Sequence, residues 1–119
     1  SDLVAKNLRE ALGFEFFRRG VEVRCPSEPS AAPDAASIES LCRSAGADLY
    51  LQGSCWEITT GEMMDQETVS SVTVLLFDRS GKKIGEARRE ARGALSSPEN
   101  TRCAASDITR EILSALRHE

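Results

Sequence analysis

Leu3, Val4, Leu8, Ala11, Leu12 and Phe16 recur at helical spacing from Asp2 to about Arg19, with Asp2 placed to cap the segment and Gly20 to stop it. This predicts an amphipathic helix. Gly13 weakens it from within, because glycine there costs about 1 kcal/mol relative to alanine. Val21, Val23 and Cys25 then alternate with Glu22 and Arg24, the period of a short strand, which Pro26 ends. The stretch PSEPSAAPD reads as a surface loop. It delivers the chain to a second helix capped by Asp34, striped by Ile38, Leu41, Cys42 and Ala45, and stopped by Gly46.

The next run, LYLQGSCWEI over 49–58, has period two. Leu49, Leu51, Gly53 and Cys55 face one way, and Tyr50, Gln52, Ser54 and Trp56 the other. Beyond a polar loop, residues 68–78 give the clearest strand signal in the chain, with Val72, Val74 and Leu76 opposite Ser71, Thr73, Leu75 and Phe77. Arg79-Ser80-Gly81-Lys82 turns the chain into a charged strand over 84–95. Its Glu86, Arg88, Glu90 and Arg92 alternate with small residues and with Arg89. Ser96-Ser97-Pro98-Glu99 opens a last helix with a capping box and an early proline, and Ala105, Ile108, Ile112, Ala115 and Leu116 form its stripe.

The order α-β-α-β-β-β-α predicts a single α/β domain over 1–119. A strand, a helix and a new strand imply one right-handed parallel crossover, and the two hairpins add an antiparallel meander. The resulting mixed sheet is packed by three helices.

Fifteen Lys and Arg against nineteen Asp and Glu give a net charge of −4, which argues against a nucleic-acid backbone as partner. The single histidine, His118, is the penultimate residue, so neither a His-centred triad nor a His-rich metal cage has the residues it needs. Glu62, Asp65 and Glu67 share one loop without the central glycine of a calcium loop, and the scattered glycines form no phosphate cradle. Neither a cofactor nor a metal is expected, and no catalytic constellation is present.

The four cysteines, at 25, 42, 55 and 103, lack the short paired spacings of zinc or redox sites. Cys42 and Cys55 fall on apolar faces and read as core. Cys103 lies opposite the Ile108/Ile112 stripe. It either pairs with Cys25 in an oxidising compartment or stays a free thiol in a reducing one. The side chains left for contact with a partner are Tyr50, Trp56, Phe77, Arg88 and Arg92 on one face and edge of the sheet, with Phe17 off its helix stripe as a second candidate.

GVEVRC after the first helix, the run AGADLYLQGSCWEI, the hairpin SVTVLLFDRSGKKIGEARREARG and the capped closing helix together resemble a known domain. It is the small α/β domain of bacterial envelope lipoproteins, the family of LpoB, CsgG and the amino-terminal domain of TolB. The pieces that carry the likeness are Gly46-Ala47-Asp48 through Gly53-Ser54 and the turn from Asp78 to Gly81. The family has a further strand before its first helix, whereas this chain opens directly on that helix. The resemblance implies no enzyme. It implies a periplasmic domain, tethered to the outer membrane only through a lipid anchor upstream, that binds an envelope protein or self-associates. A cytosolic regulatory or small-ligand-binding module is the alternative.

Overall fold

The structure is a computed structural model, and it describes residues 2–24, 34–62, 64–95 and 97–117. Among the described residues six elements follow one another: α1 (Asp2–Arg18), α2 (Ala35–Ala45), β1 (Leu49–Thr60), β2 (Glu67–Asp78), β3 (Lys83–Arg92) and α3 (Pro98–Arg117). The strands form one sheet in the order β1-β2-β3, with both pairings antiparallel. The meander is therefore the one read from the alternating pattern.

The parallel crossover is not observed, because residues 21–24 form no strand among the described residues. Val21 and Val23 are 37% and 41% exposed. The Val21 N–H donates to the Phe16 carbonyl, and the Arg24 guanidinium reaches the Ala45 carbonyl, so this segment is spent on capping two helices. Cys25 and the loop to Pro33 lie outside the described residues.

Face matching fixes the core. The register places Leu51 opposite Leu76, Gly53 opposite Val74 and Cys55 opposite Val72, and Val74 in turn lies opposite Ala87. This face carries Val72, Val74, Leu76 and Ala87, closed by Leu8 and Phe16 of α1 and by Ala104, Ile108 and Ile112 of α3. Arg89 points into the same face, where it pairs with Asp107 of α3. Glu57 there accepts from the Leu95 N–H, and Thr101 Oγ1 donates to the Leu95 carbonyl at 2.6 Å, pinning the β3–α3 connection.

Helix α1 departs from its reading. Leu8 and Phe16 are buried, but Leu3 is 66% exposed and belongs with Phe14 and Phe17 on the opposite side of the helix. The helix already includes Asp2. Glu15, buried, is held by Arg19 one turn later.

Helix α2 sits at the hairpin end of the sheet. Asp34 accepts from the Ser37 N–H at 2.8 Å, and Gly46 closes the helix in the left-handed region at φ 66°. Ile38 and Cys42 are its buried side chains. Gly81, at φ 89°, lets the β2–β3 turn approach α2 so closely that a Cβ would fall 2.6 Å from the Ala35 backbone.

Candidate functional site

The face of the sheet turned away from α1 and α3 is built in rows, the first across β1 and β2 and the others across all three strands. From the hairpin end they are Tyr50 and Phe77; Gln52, Leu75 and Glu86; Ser54, Thr73 and Arg88; Trp56, Ser71 and Glu90; and Ile58, Val69 and Arg92. Period-two alternation along each strand puts these side chains on one side.

The first row lies at the α2 end. Tyr50 and Phe77 are half-buried, with ring centroids 6.3 Å apart and planes tilted by 56°. Burial first, and the nearby Cys42 thiol second, push the Tyr50 phenol above its usual range. Burial likewise raises the Cys42 thiol, with the negative charges of Asp48 and Asp78 adding to it. A nucleophilic thiol needs the opposite shift.

Beyond that end the face is open. Trp56 is 44% and Ile58 53% exposed, and Arg88 and Arg92 stand out in solvent in neighbouring rows. Their charges are matched close by, Arg88 to Glu90 at 2.8 Å and Arg92 to Glu67 at 3.1 Å. The result is an apolar ridge of Trp56 and Ile58 on β1, flanked on β3 by alternating charge. Ser71 lies between the two, in Trp56's row, with its hydroxyl buried and without a partner among the described residues.

The structure thus divides the residues singled out in the sequence. Trp56, Arg88 and Arg92 share the open half, Tyr50 and Phe77 lie at the α2 end, and Phe17, 74% exposed, stands on α1. Ile58 was missed although it continues the alternation of Tyr50 to Trp56 by one step. Leu3 and Phe14 were missed as companions of Phe17, although their spacing of three and four multiples marks one side of a helix. Cys42, Cys55 and Cys103 carry free thiols, and Cys103 is exposed; Cys25 lies outside the described residues.

A groove between α2 and the β2–β3 turn is lined by Cys42, Gly46 and Ala47 with Glu39, Arg43, Asp48 and Arg79. Its charges neutralise one another, Arg43 to Glu39 at 2.7 Å and Arg79 to Asp48 at 3.8 Å. Among the described residues, no three His, Cys, Asp or Glu side chains gather where a metal could bind, and no helix is long and apolar enough to cross a membrane.

No family model matches the chain, and no curated protein does. Among solved structures it is similar to the crystal structure of lipoprotein GNA1162 from Neisseria meningitidis, at 18% identity and a TM-score of 0.45, over 86% of this chain and 69% of that one.

Proposed function

We propose that this chain is a non-catalytic binding domain of the bacterial cell envelope, periplasmic or held at the outer membrane through an upstream lipid anchor, and that it acts through protein–protein contacts. One observation carries the contact surface: Trp56 and Ile58 stand exposed on a half-sheet that no described helix covers. Tryptophan and arginine are the side chains that most often anchor such contacts, and an apolar centre beside a charged rim is their usual arrangement. The envelope location is supported by the sequence resemblance.

The test is a photoreactive amino acid placed in living cells at Arg88 or Trp56, with Glu39 on α2 as the control site. Crosslinks to another envelope protein from the open half and none from α2 are expected. Equal labelling from all sites, or none from any, would overturn the assigned surface. The exposed position of Cys103 is the observation behind a second reading, a cytosolic regulatory or small-ligand-binding module in which that thiol stays reduced. Cell fractionation separates the two.

A further inference from the structure

The sheet ends in two very different edges. β3 presents Lys83, Glu86, Arg88, Glu90 and Arg92 and has an irregular register against β2 between Leu76 and Phe77. Charges and register breaks of this kind discourage a further strand from adding. β1 has none of these devices. Over Leu49–Thr60 it contains no Lys, Arg or Pro, its pairing with β2 is regular from end to end, and its one charge, Glu57, is engaged by the Leu95 N–H. No described strand covers its outer edge.

We propose that this edge pairs with β1 of a second copy, antiparallel, joining two three-stranded sheets into one continuous sheet across a two-fold axis. The proposal rests on the binding-domain reading only in naming the second copy as one of its partners. It uses the outer edge of β1, and of the open face only the Trp56 and Ile58 margin borders it, Arg88 and Arg92 on β3 staying clear.

The sequence of β1 is compatible with itself. A two-fold perpendicular to the sheet keeps the core faces aligned only in registers that pair odd with odd positions and even with even. The longest of these centre on Ser54 or Cys55. They set Glu57 opposite Leu51 or Gly53, so no like charges meet. They also lay Trp56 against Gln52 or Ser54, and Ile58 against Tyr50 or Gln52, of the other copy. Both apolar side chains left exposed on β1 thereby gain cover. The outer edges of the joined sheet are then the two charged β3 strands, so assembly closes at two. A contact of one strand edge is small, and its Kd belongs in the micromolar range.

Sedimentation of the unsubstituted chain across roughly micromolar to hundred-micromolar concentration should show a dimer that saturates. Trp56 is the only tryptophan, so its emission should shift to the blue over the same range. Hydrogen exchange should slow at β1 amides as concentration rises. Ser54→Lys and Ser54→Glu chains, folded by circular dichroism, should each be monomeric alone and form mixed dimers together. A monomer throughout, open-ended assembly, or slowed exchange elsewhere overturns the proposal, as does a dimer indifferent to both Ser54 charges. Arg88→Ala together with Arg92→Ala changes the open face and should leave the dimer intact. Loss of the envelope crosslinks in this variant, with the dimer unchanged, is what the surface reading expects; no crosslinks from the open half of the unsubstituted chain, with the dimer present, would sink that reading and leave this one standing.

Discussion

The two faces of β2 are built from the same strand and do different work. Val72, Val74 and Leu76 are closed under α1 and α3, whereas Thr73, Leu75 and Phe77 on the other face are only half-buried. On the first face, burial of branched apolar side chains holds two helices to the sheet. On the second, the cover at one end is a short helix fixed by a cap, a glycine and a turn, and the rest is open. The side that carries stability and the side free for contact are therefore separable, and substitutions can test that.

The largest effect is expected at Ile108, fully buried where α3 meets the sheet. Ile108→Ala should cost about 2–5 kcal/mol, the range for emptying a core site. Trp56→Ala, on the open half, should cost under about 1 kcal/mol despite the larger side chain removed, because so much of it already faces water. Urea unfolding of both variants decides the matter. Equal losses would mean that Trp56 is structural and the separation of faces is wrong.

Acid should act on the second face first. The hydrogen bond from the Ser37 backbone N–H holds the Asp34 carboxyl below its ordinary 3.8, and the Ser80 hydroxyl followed by the Lys82 N–H does the same for Asp78. A carboxyl whose pKa is lower in the folded than in the unfolded chain stabilises fully above the unfolded value. That contribution fades as pH falls through the folded value, so the window lies below about pH 4. Both groups sit where α2 meets the β2–β3 turn. Hydrogen exchange should therefore show α2 loosening in acid while α3 stays protected. Asp34→Asn keeps a good capping side chain without the titration and should retain α2 further into acid. If α3 opens together with α2, the two faces are one cooperative unit.

Much of this was legible in the sequence because it is local. The alternation of β1 and β2, the Asp34 cap, the Gly46 stop and the Asp78–Gly81 turn are each dictated within a few residues, and each is present. The segment from Val21 misled because alternation over so few residues states only a preference, while a strand also needs a neighbour to pair with. Here the Val21 N–H is already committed to Phe16. Leu3 misled because α1 is apolar on two sides, and only packing decides which side is inside. At the site, the common face of Trp56, Arg88 and Arg92 followed from strand register. That α2 would bring Cys42 close to Tyr50 while Trp56 stays exposed depends on how far a helix reaches, and no spacing encodes that.

The smallest effects should come from two buried hydroxyls, one on each side of the sheet. Among the described residues, Thr109 Oγ1 on α3 and Ser71 Oγ on β2 both lack a hydrogen-bond partner, in contrast to Thr101, whose hydroxyl is satisfied by Leu95. An unpartnered buried hydroxyl carries its desolvation cost with no return, so Thr109→Val, which keeps the shape, should stabilise by up to about 1 kcal/mol. Ser71→Ala should change stability by less than about 0.5 kcal/mol, because its row-mates Trp56 and Glu90 are solvent-facing side chains that can shift to admit water. Thermal unfolding of the two variants gives the ranking. A clear stabilisation from Ser71→Ala equal to that from Thr109→Val would show the middle of the second face to be as dry as the core, and the open half would then shrink to Ile58 and the rim beyond it.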